Sequence, residues 1–146
     1  MYNISKHEIL STKHETNLKL EITKGERMAE REKKYDLEER TEVFAKRVRT
    51  FVRRLPRTIS NQEDVRQLVR ASGSVGANYI EANDSLGKKD FGMHIKICRK
   101  ESKESGYWLR LLFTNDDKVL EAERVTLVQE ARELTNIFGA ILRNSQ

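Results

Sequence analysis

The chain has 146 residues, of which 37% are hydrophobic and 35% charged, and 28 basic and 23 acidic side chains give a net charge of +5. This length is typical of one domain, one proline excludes Pro-rich and collagen-like classes, and one cysteine excludes an intrachain disulfide and any Cys-based metal cluster. The sequence has no run of about 18 apolar residues and no signal-peptide stretch, so we expect no membrane span and a cytoplasmic location.

Residues 1–36 contain scattered apolar residues without a sustained period, and we predict a flexible N-terminal extension before a domain spanning residues 37–146. Met28 begins Met-Ala-Glu-Arg, and the codons of the preceding Lys24-Gly25-Glu26-Arg27 can form the purine-rich stretch of a ribosome-binding site. We hypothesise that translation naturally begins at Met28 and that residues 1–27 reflect a misassigned start. N-terminal sequencing of the natively expressed protein tests this hypothesis, and a mature chain beginning at Met1 would refute it.

From Leu37 onward, apolar residues recur at helical spacing, and no segment alternates with period two for long enough to indicate a strand. Because the connections between the helices are short, neighbouring helices should run antiparallel. The sequence therefore predicts an all-α protein, an antiparallel up-down-up-down four-helix bundle. The predicted helices span residues 37–55, 61–82, 88–113 and 118–143.

Each predicted helix carries an apolar stripe. Pro56 should end the first helix, and Ser60-Asn61-Gln62-Glu63 is a capping box that should begin the second. The residues predicted to face the core are Leu37, Phe44, Ala45, Val48, Phe51, Val52, Leu55, Val65, Leu68, Ser72, Val75, Tyr79, Ala82, Phe91, Ile95, Cys98, Trp108, Leu109, Leu112, Leu120, Leu127, Ala131, Leu134, Phe138 and Ile141.

The second helix contains a run of small residues at 71–77, ASGSVGA. Its two glycines each cost about 1 kcal/mol relative to alanine in a helix, so close approach of another backbone should offset that cost. Packing within the bundle and a subunit interface are both open interpretations of this run.

Long polar side chains beside apolar ones on the second and third helices indicate a buried or half-buried polar network. A di-iron site would need Glu-x-x-His pairs, and His94 has no Glu three residues before it. Cys98 lies on an apolar stripe and is interpreted as a core residue. We therefore expect no catalytic residues, metal or cofactor. The predicted structural network comprises Arg70, Asn78, Glu81, Glu101 and Glu104.

Basic residues recur along one flank or the other of the first and third helices. Continuous basic stripes can follow nucleic-acid phosphates, although solvated charged faces are commoner. No aromatic residue interleaves these stripes, which favours sequence-nonspecific backbone contacts over base stacking. The predicted nucleic-acid-binding residues are Lys46, Arg47, Arg49, Arg53, Arg54, Arg57, Lys96, Arg99, Lys103 and Arg110.

Three segments carry a family resemblance: residues 68–81 (LVRASGSVGANYIE), residues 88–91 (KKDF), and residues 99–104 (RKESKE) followed by Tyr107-Trp108-Leu109. They resemble the four-helix-bundle proteins encoded in 23S rRNA intervening sequences, which are similar to the accessory variability protein of diversity-generating retroelements. The resemblance covers about residues 37–143. Ala82 departs from it, since relatives usually carry Gly after the Glu.

The resemblance implies a homopentamer of bundles with a basic surface, binding to RNA or DNA, and, in retroelement systems, contact with a reverse transcriptase. It does not imply catalysis. We therefore expect a noncatalytic, oligomeric nucleic-acid-binding protein. The alternative is a protein-interaction scaffold whose charge only maintains solubility, and an enzyme ranks last because no complete catalytic constellation appears.

Overall fold

The computed structural model describes the backbone of residues 6–146 and the side chains of residues 11–29 and 37–146. These residues form α1 (Lys6–Val52), α2 (Ile59–Asp84), α3 (Lys88–Leu111) and α4 (Lys118–Asn144), and no strand occurs within residues 6–146. The prediction of an all-α protein is confirmed.

The chain divides into two compact units, Met1–Leu37 and Glu38–Gln146. In the first unit the described side chains of residues 11–29 are exposed, although the backbone is helical from Lys6. The spacing of apolar residues gives no sign of this helix, because apolar residues recur at helical intervals only where one face of a helix is buried. Lys, Glu and Leu nevertheless favour helix without burial, and the segment has no proline. Residues 1–5 of the predicted flexible extension lie outside the described residues.

Most of the predicted stripe positions are buried, which confirms the periodicity argument. The buried ones are Leu37, Phe44, Val48, Phe51, Leu55, Leu68, Ser72, Val75, Tyr79, Ala82, Ile95, Cys98, Leu109, Leu112, Leu120, Leu127, Ala131, Leu134 and Phe138. The half-buried ones are Ala45, Val52, Val65, Phe91, Trp108 and Ile141.

Within the second unit, α2 packs against both α1 and α3, and the contacts run in opposite order along each pair. Asn83 of α2 donates to Glu38 of α1 at 3.0 Å, whereas Gly73, more than two turns earlier in α2, lies against Arg49, further along α1. The Cys98 thiol of α3 donates to the Val75 carbonyl of α2 at 3.4 Å, and His94, one turn earlier in α3, lies 3.2 Å from the Asn78 side chain, which is three residues later in α2. Each of these neighbours is therefore antiparallel.

The α4 helix packs against α3 and α1 with the same reversal. Arg40 of α1 holds Glu130 of α4 through two hydrogen bonds of 2.7 and 2.9 Å, and Arg47, two turns later, donates to Thr126, one turn earlier in α4, at 2.9 Å. Gly106 of α3 lies beside Ala131 of α4, whereas Arg99, two turns earlier in α3, lies beside Gly139, two turns later in α4. Each helix of this unit thus contacts two others.

The start of α2 differs from the predicted capping box. Thr58, not Ser60, is the N-cap, with extended backbone (φ −93°, ψ 161°), and its hydroxyl accepts from the Asn61 amide at 3.1 Å. The predicted helix start at Ser60 is wrong because Asn61 is a buried residue, 2% exposed. Its side-chain amide donates to the carbonyls of Pro56 and Phe113. That burial places the helix start two residues earlier.

The turn between α3 and α4 falls at the predicted break, although α3 ends at Leu111 rather than Phe113. Asn115 and Asp116 have positive φ values of 55° and 56°, a left-handed conformation that these two residue types tolerate better than most. Asp117 then caps α4 by accepting from the amides of Val119 and Leu120 at 2.9 and 3.0 Å.

Candidate nucleic-acid interface

A recess lies between α3 and α4, which we name the α3/α4 groove. It has a volume of about 250 Å³, and its floor consists of small or short side chains, whereas its cations come from both helices. The residues that line the groove are Arg99, Ser102, Lys103, Gly106, Arg110, Val128, Ala131, Arg132 and Thr135.

Two glycines allow guanidinium groups to lie low against the helices. A Cβ on Gly106 would stand 3.4 Å from Nη1 of Arg110, and one on Gly139 would stand 3.4 Å from Nη1 of Arg143 and 3.7 Å from Nε of Arg99. The arginine side chains therefore lie folded over the positions that larger residues would occupy.

The charged side chains that line the α3/α4 groove are all basic, and no acidic side chain lines it. Among the described residues, Arg99, Lys103, Arg110 and Arg132 have no ion-pair partner. The acidic residues next to Lys103 and Arg132 in sequence pair elsewhere: Glu104 pairs with Lys100 at 3.8 Å, and Glu133 lies 3.6 Å from Arg40. The positive charge of the four groove cations is therefore available to a ligand.

The floor hydroxyls cannot donate to an anion while their present bonds persist. Ser102 donates to the Cys98 carbonyl at 2.8 Å, and Thr135 donates to the Ala131 carbonyl at 2.7 Å. The donors available to a phosphate in this groove are thus the guanidinium and ammonium groups.

The predicted basic residues of α1 have different surroundings. Lys46 pairs with Glu42 one turn away, and Arg47 contacts Glu123 of α4 at 3.4 Å. Arg49 donates to the Ala45 carbonyl at 3.0 Å. The α1 stripe is therefore partly neutralised and does not form a continuous cationic face.

The remaining predicted basic residues lie elsewhere. Arg53, Arg54 and Arg57 are exposed near the end of α1. Lys96 lines a separate, mainly apolar cavity of about 640 Å³ together with Met93 of α3 and Leu142 of α4.

Sequence reasoning found the α3 side of the groove and missed the α4 side. Arg132 lies on α4, and residues 116–146 carry six acidic and four basic side chains, so net charge gave no signal for it. The available signal was the helical spacing of Val128, Arg132 and Thr135, which share one face of α4.

The predicted polar network is smaller than expected. Arg70 and Glu81 are exposed, so the expectation of burial is wrong for both. Asn78 donates to the Ser74 hydroxyl at 2.9 Å and faces Nδ1 of His94 at 3.2 Å, and that pair joins α2 to α3.

The two predicted glutamates of α3 are half-buried. Burial raises the pKa of Glu101 above its usual value, Glu104 raises it further, and Lys100 and Arg70 act in the opposite direction. Arg70 thus acts on Glu101 through its charge rather than through a buried bond.

Cys98 has the properties of a core residue. Burial raises the pKa of its thiol to about 12, so the nucleophilic thiolate is scarce near neutral pH. No group of three or more His, Cys, Asp or Glu side chains is placed to hold a metal ion within the described part of the chain. The same residues contain no helix of the length and apolarity that crossing a membrane requires.

The fold and the groove define an all-helical protein with a cationic recess between two antiparallel helices. The family model of the 23S rRNA-intervening sequence protein matches residues 33–140, and the chain belongs to this family. A protein of unknown function from the S23 ribosomal protein family of Bacteroides thetaiotaomicron is similar in structure, with a TM-score of 0.63 and 22% sequence identity over 75% of this chain and 97% of that chain. No protein of curated function matches this chain.

Proposed function

We propose that the protein is a noncatalytic, oligomeric nucleic-acid-binding protein that contacts the phosphate backbone without reading sequence. The observation that carries this proposal is the acid-free α3/α4 groove with four cations. Arginine forks fit phosphate oxygens closely, and no aromatic side chain lines the groove for base stacking. The proposed binding surface is therefore narrower than the ten residues expected from sequence, since it centres on Arg99, Lys103 and Arg110 with Arg132 added.

The proposal includes an up-down-up-down four-helix bundle as the protomer and a homopentamer as the assembly. Support for the bundle comes from the antiparallel contacts of each helix with two others. Five copies would bring five grooves into one particle, which raises avidity without any new contact. On the basis of the family resemblance, we also propose that the protein acts in the cytoplasm as an accessory factor that contacts a reverse transcriptase.

Salt dependence tests the proposed function. Neutralising about four phosphates should give a slope near −3 for the logarithm of the association constant against the logarithm of salt concentration with single strands. Affinity for a labelled RNA or DNA should therefore fall about 50-fold between 50 and 200 mM salt, as measured by fluorescence anisotropy. A flat dependence, or no binding at 50 mM salt, would contradict the proposal.

Charge-matched variants locate the surface. Arg99→Gln with Arg132→Gln should reduce the affinity about tenfold and lower the salt slope by about 1.4. Arg66→Gln with Lys118→Gln removes the same charge from exposed positions outside the groove and should change neither value appreciably. Equal losses in both double variants would show that net charge, rather than the groove, determines binding.

The second candidate function is a protein-interaction scaffold. Large apolar side chains about half exposed on α2 and α3 favour it, because a protein partner would remove their apolar surface from water. They are Ile80, Met93, Tyr107 and Leu111. Recovery of one protein partner after nuclease treatment, together with no binding of RNA or DNA at 50 mM salt, would favour the scaffold.

A further inference from the structure

We propose that the α3/α4 groove takes a single strand of RNA or DNA in preference to a duplex. This inference rests on the proposed function and specifies its ligand. It starts from the size of the recess, which has a volume of about 250 Å³. Such a space accommodates part of one sugar-phosphate strand and is far too small for a double helix.

The position of the arginine side chains favours a ligand that lies in the recess. The guanidinium groups of Arg110 and Arg99 lie against the helix surface beside Gly106 and Gly139, and both side chains are exposed to a ligand. A duplex is stiff over about 150 base pairs and carries its phosphates on the outside of a thick rod, so it meets mainly the rim. A flexible single strand can lower its phosphates to the arginines.

The length of the groove also favours a single strand over a duplex. Arg99 and Arg110 are eleven residues apart on α3, which corresponds to about 16 Å along the helix axis. Lys103 of α3 lies between them, and Arg132 lines the groove from α4. A strand laid lengthwise would meet cations over this whole distance, whereas the phosphates of a duplex strand spiral away from a straight recess.

The proposal assigns the arginine and lysine side chains of the groove to phosphates rather than to guanine edges. The lining residues include no aromatic side chain to stack on bases and no Asn or Gln to pair with adenine. The bound strand therefore presents its backbone to the protein, and single strands of different base composition should bind alike.

The test compares an unstructured 24-nucleotide strand with a 12-base-pair duplex, which carry nearly the same number of phosphates, at 50 mM salt. The full-length protein should bind the single strand about tenfold more tightly, equivalent to 1.4 kcal/mol. Lys103→Gln with Arg132→Gln should bring this ratio close to one. Arg66→Gln with Lys118→Gln, the matched control at exposed positions outside the groove, should leave the ratio unchanged.

The outcomes separate this inference from the proposed function. Equal or tighter binding of the duplex by the parent protein overturns the single-strand preference and leaves nucleic-acid binding intact. A ratio that survives in the groove variant overturns the placement in the α3/α4 groove. Failure of both ligands to bind overturns the proposed function itself.

Discussion

Asn61→Asp is expected to destabilise the protein by about 3–5 kcal/mol at pH 7, although the substitution only replaces the side-chain NH2 group with an oxygen. The Asn61 amide nitrogen donates to the carbonyls of Pro56 at 2.9 Å and Phe113 at 2.8 Å, and its oxygen accepts from the Phe113 amide at 2.8 Å. Aspartate would place a second anionic oxygen against two carbonyl oxygens at a buried site. The loss combines two broken hydrogen bonds with an uncompensated charge.

The pH dependence of this variant has a definite sign. Burial beside two carbonyls favours the protonated carboxyl, so its folded-state pKa should lie above the ordinary value of about 3.9. The protonated acid can donate in place of the lost amide, and the variant should approach parental stability below pH 3.9. Its deficit should then grow with pH, at up to about 1.4 kcal/mol per pH unit, until the folded-state pKa is passed.

Urea unfolding at pH 3.5, 5 and 7 measures this deficit relative to the parent protein. Asn136→Asp is the matched control because Asn136 is exposed on α4, and its effect should stay within about 0.5 kcal/mol at each pH. A deficit that does not change between pH 3.5 and pH 7 would show that Asn61 contributes packing rather than hydrogen bonds.

Asn61 also illustrates why part of the fold escaped prediction. The prediction relied on the local pattern Ser60-x-x-Glu63, whereas Thr58 is the N-cap of α2 in the structure. The distinction depends on Phe113, which is 52 residues away in the chain and contacts Asn61 only after α2 and α3 pack. The apolar stripes were predictable because burial of one helix face is written at fixed spacing, whereas a tertiary hydrogen bond is not.

The candidate nucleic-acid interface was also predictable only in part. Spacing identified Arg99, Lys103 and Arg110 because they share one face of a single helix. The neutralisation of Arg47 by Glu123 and the contribution of Arg132 depend on which face of α4 meets which neighbour. Charge in a sequence thus shows how many cations a helix carries, and packing determines which of them remain unpaired.

Gly76→Val is expected to destabilise the protein by about 3 kcal/mol, because α1 and α2 approach closely at this residue. A Cβ on Gly76 would stand 3.0 Å from Oγ1 and 3.3 Å from Cβ of Thr41. Thr41 is 1% exposed and its hydroxyl donates to the Glu38 carbonyl at 2.9 Å, so it cannot move aside freely. Packing against α1 within the protomer thus accounts for Gly76, the first of the two interpretations open for the small-residue run.

Alanine substitutions separate crowding from helix propensity. Gly92→Ala, at a helical position where nothing beyond the adjacent backbone of α3 lies within 4 Å of the new Cβ, should stabilise the protein by about 1 kcal/mol. Gly76→Ala has the same intrinsic gain, but the crowding against Thr41 should turn it into a net loss of about 1 kcal/mol. Urea unfolding of both variants measures the difference, which should be about 2 kcal/mol.

A double-mutant cycle then assigns the crowding to one side chain. Thr41→Ala removes Oγ1 and should recover about half of the Gly76→Ala loss, because the contact between the two Cβ atoms remains. Additive effects of the two substitutions would mean that Thr41 does not limit residue 76. If Gly76→Ala instead stabilised the protein as much as Gly92→Ala, the close approach of α1 and α2 would be refuted, and a contact between subunits would become the better explanation for the glycine.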